Sequence, residues 1–279
     1  LFKKLLPGIL LCIFLCSFST PEGIYYQHIV TDVPQSIHLL EVNPQKFSLV
    51  AARALDKCVG RENVLSLSQR KKALGGVNGG YFDIGVHEGA PSGILKVEGQ
   101  WYGLPFRARG AIGWSTTGKE ILFDRVLTHL EGIDFHIDPQ IDKTTAERWD
   151  AMDHIVGGVP LLIKGGKRIT DFFFETSCET FITLRHARTA VGLLPNGNLV
   201  FVVVDGKQPG FSLGMTMDEL VIFMEQLGCT DALNLDGGGS STFIYENEVI
   251  NQPTGDGDMN DEGVPILRAV SDAILILEK

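Results

Sequence analysis

A chain of 279 residues with 44% hydrophobic and 21% charged side chains can bury one large core or two small ones, which excludes a disordered or fibrous protein. Acidic residues outnumber basic ones 34 to 24, and a surface of that sign repels nucleic acid and anionic lipid at long range. The longest basic run, Arg70-Lys71-Lys72, fits the solvated face of a helix.

In chain order, residues 1–20 stand apart. Lys3 and Lys4 precede an almost uncharged run from Leu5 to Phe18, and Ser17 and Ser19 offer small residues to a peptidase. This is the pattern of a signal peptide, cleaved or kept as a tether, and implies an exported protein: periplasmic, cell-envelope or extracellular. A spanning helix needs about 20 apolar residues, so no membrane insertion is expected beyond this segment. Cys12 and Cys16 follow leucines, not the small residues of a lipoprotein signal. Without Lys3 and Lys4 the balance is 22 basic to 34 acidic residues, a net charge of about −12. Cys58, Cys178 and Cys229 then remain, enough for at most one disulfide. No CxxC or HxxxH spacing points to zinc.

Residues 25–279 read as a single domain, with no repeat or linker dividing them. Strand signals dominate: Ile37–Val42, Phe47–Ala52, Ile94–Val97, Ala111–Trp114, Glu120–Val126, Leu161–Lys164, Asn198–Asp205, Thr242–Tyr245, Glu248–Ile250 and Val270–Leu277. Glu98-Gly99, Thr117-Gly118, Gly165-Gly166, Asn196-Gly197 and Glu246-Asn247 read as hairpin turns. Two helices are expected. One opens at Ser66-Leu-Ser-Gln69 and stops by Gly75. The other opens on the capping box Thr216-Met-Asp-Glu219, carries Leu220, Phe223, Met224 and Leu227 at helical spacing, and closes at Gly228. Each is followed by a short apolar piece and a glycine turn, Asn78-Gly79-Gly80 or Asp236-Gly237-Gly238-Gly239, which suggests two loops that meet.

Five stretches carry candidate chemistry. In "GVNGGYFD" (76–83), an amide and two aromatic rings suit a sugar, and equally a tight turn over core aromatics. In "HARTAVG" (186–192), Arg188 opens the strand-like run Thr189–Leu194. It is either a fork for phosphate or carboxylate, or the partner of Asp205 or Asp236 in a salt bridge. "VVVDGKQPG" (202–210) ends an apolar strand in Asp205, placed for acid–base work or for an Asp-Gly turn.

"ALNLDGGGSSTF" (232–243) matches neither a P-loop, nor a dinucleotide fingerprint, nor a nucleophile elbow. It leaves a turn of exposed N–H groups beside Asp236, Ser240 and Ser241, an anion nest or a plain turn. "GDGDMNDEG" (255–263) imitates a calcium loop but has Asp261 and Leu267 where glycine and glutamate are needed, so a solvated acidic loop fits better.

Order and spacing make these motifs specific together. "NGGYF", "ARTAVG", "VDG", the capped helix, "NLDGGGSSTF" and "LRAVSDAILI" resemble the phosphodiester glycosidase family from about Ser66 to Leu277, most densely over Ala187–Phe243. The resemblance implies an α+β fold, with mixed twisted β-sheets and a few flanking helices. It implies hydrolysis between a sugar's anomeric carbon and a phosphodiester oxygen, on a sugar-phosphate or polysaccharide substrate. No cofactor is implied, and a divalent cation stays open. Asn78, Arg188, Asp205, Asp236 and Gly237–Ser241 fall on the family's motifs. Asp236 and Asp205 are the candidate catalytic carboxylates and Arg188 the phosphate clamp. Asn78, Gly79, Tyr81, Thr189, Asn234, Gly237, Gly238, Gly239, Ser240 and Ser241 are expected to line the substrate. The cysteine pairs of the family's eukaryotic members are missing. The alternatives are a non-catalytic envelope protein that binds sugar phosphates through the same loops, and a serine hydrolase built on Ser240.

Overall fold

The computed structural model describes residues 20–104, 108–131, 134–139, 146–176, 178–254 and 266–279. The expected signal segment, as far as residue 19, and the acidic stretch 255–263 lie outside the described residues.

Three antiparallel sheets share one core. A seven-stranded sheet runs in the order Ile24–Thr31, Gln35–Val42, Leu199–Val204, Arg188–Leu193, Asp231–Asn234, Leu161–Lys164, Lys167–Arg168. A six-stranded sheet contains Asp134–Pro139, Ile121–Glu131, Arg109–Trp114, His154–Gly157, Leu95–Val97 and Gln100–Gly103. A five-stranded sheet contains Glu248–Val249, Phe243–Tyr245, Gly75–Asn78, Asp272–Glu278 and Phe47–Arg53. Leu40, Phe201 and Leu233 of the first sheet, Ile112 and Val156 of the second, and Val77, Phe243 and Ile274 of the third form one buried cluster.

The strand Leu199–Val204, LVFVVV, shows why an unbroken apolar run forms here. Successive side chains point to opposite faces, and both faces are covered. Phe201 and Val203 enter the shared core, while Val200, Val202 and Val204 pack with Met217, Leu220, Val221 and Met224 of the helix Met217–Gln226.

That helix starts where its sequence says. The Thr216 hydroxyl accepts from Glu219 N (3.2 Å) and the Glu219 carboxylate accepts from Thr216 N (2.9 Å). Thr216→Ala leaves a helix-end donor unpaired, and urea unfolding should report a loss of about 1 kcal/mol. An unchanged midpoint would show that the box adds nothing to the packed face.

The shorter helix differs from expectation. It spans Val64–Lys71, capped by Asn63, whose side chain accepts from Ser66 N at 2.8 Å, and it ends in a left-handed Lys72. Gly75 and Gly76 belong instead to a central strand. A Cβ there would lie 2.8 Å from Ile244 O or 2.6 Å from Ile274 O, so the neighbouring strands demand glycine. All five expected hairpin turns contain positive-φ residues. Strands at Ile24–Thr31, Gln100–Gly103 and His154–Gly157 were not foreseen. The three cysteines are free, and burial pushes the Cys229 thiol up to about 12. Among the described residues no helix is long and apolar enough to cross a membrane.

Candidate active site

The two glycine turns leave neighbouring sheets and meet. Asn78, fully buried at the end of its strand, joins them: its Nδ2 donates to Asp236 O (2.7 Å), and its Oδ1 accepts from the Thr189 hydroxyl (2.7 Å) and Thr242 N (3.2 Å). Asp236 N in turn donates to Gly79 O (3.1 Å). The Tyr81 hydroxyl reaches Leu235 O (3.1 Å) and accepts from Asn234 Nδ2 (3.0 Å). Asn78, Gly79, Tyr81, Thr189 and Asn234 are therefore brought together, largely as the frame that holds Asp236.

The triple glycine has three separate reasons. A Cβ on Gly237 would lie 2.8 Å from Ala187 O. Gly238 has φ +61°, which disfavours a side chain, and a Cβ there would point into open space. A Cβ on Gly239 would lie 2.6 Å from the Arg268 guanidinium, which rests on the turn. The expected cradle of free N–H groups is corrected. Gly237 N bonds Asp236 Oδ1 (2.9 Å), Gly238 N bonds Ala187 O (2.9 Å), and Ser240 N and Ser241 N close the turn itself. Among the described residues the Gly239 N–H alone of these five has no acceptor, and the Arg268 guanidinium lies beside it.

Asp236 keeps a partly exposed edge inside this frame. Burial pushes its carboxyl up to about 6. The Ser240 hydroxyl, the Gly237 N–H and Arg268 pull the other way, and the Asp272 carboxylate adds to the rise. A carboxyl that titrates near neutrality beside a glycine turn is suited to proton transfer or to stabilising positive charge.

Arg188 and Asp205 have partners that the sequence did not suggest. Arg188 is buried, with Nε donating to Met215 O (2.9 Å) and Nη2 to Phe181 O (2.7 Å) and Leu184 O (3.2 Å), under the Phe181 ring. Those carbonyls occupy two of its three nitrogens, so a two-pronged grip on a phosphate is not available. Neither Asp205 nor Asp236 pairs with it among the described residues. Burial pulls its pKa down to about 10. Asp205 is also buried, and belongs to another network. Its carboxylate lies 3.4 Å from His38 Nε2 and accepts from Asn251 Nδ2 (2.9 Å) and Gln252 N (2.9 Å). Asn251 also donates to Ser241 O (3.0 Å), so Asp205 steadies the far end of the glycine turn.

Ser240 and Ser241 are buried; the Ser240 hydroxyl faces the Asp236 carboxylate, and the Ser241 hydroxyl has no hydrogen bond among the described residues. Among the described residues no histidine hydrogen-bonds Ser240, so the serine-hydrolase alternative gains no base there. Among the described residues no group of three His, Cys, Asp or Glu side chains could hold a metal.

Arg268 and Asp272 were not singled out in the sequence, although both lie in "LRAVSDAILI". Asp272 is buried, its Oδ1 accepting from Gly80 N (2.8 Å) and its main-chain O from Gly79 N (2.9 Å).

Residues 71–277 match the phosphodiester glycosidase family. The chain belongs to that family. It is 31% identical over 109 residues to N-acetylglucosamine-1-phosphodiester alpha-N-acetylglucosaminidase of Bos taurus, covering 36% of this chain and 20% of that protein. It is 27% identical over 191 residues to the SPbeta prophage-derived uncharacterized protein YomE of Bacillus subtilis, covering 68% of this chain and 27% of that protein. The chain thus spans only about a fifth to a quarter of these curated relatives. In fold it resembles the zebrafish N-acetylglucosamine-1-phosphodiester alpha-N-acetylglucosaminidase catalytic domain, auto-inhibited by its pro-peptide (TM-score 0.70, 24% identity, 94% of this chain and 86% of that chain). It also resembles a hypothetical protein from Synechocystis (TM-score 0.73, 17% identity, 98% of this chain and 64% of that chain).

Proposed function

We propose that this member of the family is a hydrolase that cleaves between the anomeric carbon of a sugar and a phosphodiester oxygen, releasing the free sugar and a phosphate monoester. The observation that carries this reading is Asp236: a carboxyl titrating near 6, its main chain fixed on both sides by bonds to Asn78 and Gly79, next to Arg268 and the Gly239 N–H, which has no acceptor among the described residues.

A phosphate monoester is a good leaving group, so acid assistance matters less than in ordinary glycosides. The main task is to stabilise an oxocarbenium-like centre, and ionised Asp236 supplies the negative charge for it. Arg268 and the Gly239 N–H receive the phosphate oxygens. Arg188 adds positive potential from below, and Asp205 holds the turn through Asn251. An export signal in residues 1–20 would give such an enzyme access to sugar-phosphate polymers of an envelope or to host glycans.

Gly239→Ala separates chemistry from folding. A methyl group there displaces the Arg268 guanidinium, and turnover of GlcNAc-1-phosphate methyl diester should fall on the order of tenfold through lost phosphate binding. Gly238→Ala meets no atom and is strained only by its φ, so it should lower melting more than phosphate affinity in the folded fraction. Equal phosphate affinities for both variants and the parent would remove the turn and Arg268 from substrate binding. Release of free GlcNAc by the parent, and none by an Asp236→Asn variant, tests the activity itself. Binding without release by the parent would instead favour a non-catalytic sugar-phosphate receptor.

A further inference from the structure

We propose that Asp272 is a positioning residue for Asp236, its buried carboxylate holding the Asn78–Gly80 turn that in turn holds Asp236. The chain of contacts is continuous. Asp272 Oδ1 accepts from Gly80 N and Asp272 O from Gly79 N (2.8 and 2.9 Å). Gly79 O then accepts from Asp236 N (3.1 Å), while Asn78 Nδ2 donates to Asp236 O (2.7 Å). Gly79 is glycine because a Cβ would lie 2.0 Å from Asp272 Oδ1. The turn is thus shaped around this carboxylate.

Burial pushes the Asp272 carboxyl above the usual carboxylate range, while the Ser271 hydroxyl, the Gly80 N–H and Arg53 favour its charged form. Its Oδ2 accepts from the Ser271 hydroxyl, and Arg53 faces it as a nearby cation. Arg53 is itself buried and donates to Ser271 O, Cys58 O and Gly89 O. Among the described residues the groups facing Asp236 are Tyr81, Ser240, the Gly237 N–H, Arg268 and Asp272. Among them Asp272 is the acid that resists a second negative charge. Burial, the stronger of the two, and this like charge both keep the Asp236 proton on to higher pH.

This inference rests on the proposed role of Asp236, but two of its three measurements need no substrate. Asp272→Asn keeps an oxygen for the Gly80 N–H and loses the charge. Asp272→Leu loses both, and Gly79→Ala pushes the carboxylate off the turn. Carbon-13 carboxyl NMR follows the Asp236 midpoint, amide hydrogen exchange follows the Asp236 N–H, and turnover is measured against pH.

The expected result for Asp272→Asn is slow Asp236 amide exchange as in the parent and a carboxyl midpoint shifted to lower pH. The rising limb of its pH–rate profile moves by the same amount. For Asp272→Leu and Gly79→Ala, Asp236 amide exchange quickens and turnover falls at least tenfold. An Asp236 midpoint unmoved by Asp272→Asn, or an Asp236 amide equally protected in the variant that has lost the acceptor, overturns the proposal. Should no diester be hydrolysed by any form, the NMR and exchange results still decide it, and only the assigned reaction fails. A role confined to stability would lower melting without moving the Asp236 midpoint.

Discussion

Asp236→Asn should lose at least two orders of magnitude in turnover, on the scale of removing an electrostatic or acid–base group, while melting higher than the parent at neutral pH. The two effects have one cause. Burial raises the Asp236 pKa from 3.8 to about 6, so the ionised form is disfavoured in the folded protein relative to the unfolded one. Stability from this group is therefore fully present below the unfolded value and is lost as pH rises through about 6. The amide removes that loss and keeps an oxygen for the Gly237 N–H. The variant's advantage in melting temperature should be absent near pH 4, grow as pH rises towards about 6 and level off above it. Near-normal turnover would exclude Asp236 from the reaction, and a variant less stable at every pH would show that its charge supports the fold.

Arg188→Lys should destabilise the protein on the order of 3 kcal/mol. A guanidinium reaches Met215 O, Phe181 O and Leu184 O from two nitrogens and stacks under Phe181. An ammonium on a flexible stem cannot satisfy all three carbonyls or the stacking geometry, and each buried carbonyl left unpaired is costly. The fraction that stays folded should keep most of its turnover, because Arg188 does not grip the phosphate with two prongs. Thermal melting and rate measured well below the midpoint separate these. Parent-like melting with a rate reduced a hundredfold would restore Arg188 as the phosphate clamp.

The parts of the fold legible in the sequence are those where local rules and tertiary packing agree. The capping box at Thr216, the LVFVVV strand and the positive-φ hairpins each announce themselves locally. Gly75–Asn78 does not, because its glycines are required by carbonyls from Ile244 and Ile274, far away in sequence. The meeting of the two glycine turns could be suspected from their parallel settings, and Asn78 proves to be the joint between them. Roles within the site were less legible. Arg188 and Asp205 sit in conspicuous motifs, yet their partners are carbonyls and amides contributed by distant segments, which no local pattern announces. Arg268 and Asp272 sit in a stretch that reads as an ordinary final strand. Only the sheet order, which sets Asp272–Glu278 beside Gly75–Asn78, brings them beneath and beside Asp236.

The central claim is that the bond broken is the one at the anomeric carbon, and the position of oxygen from water tests it most directly. Hydrolysis of GlcNAc-1-phosphate methyl diester in water enriched in oxygen-18, stopped early and read by mass spectrometry, should give label in the C1 hydroxyl of free GlcNAc and none in methyl phosphate. Label in methyl phosphate, or release of methanol with GlcNAc-1-phosphate, would mean attack at phosphorus and contradict the account.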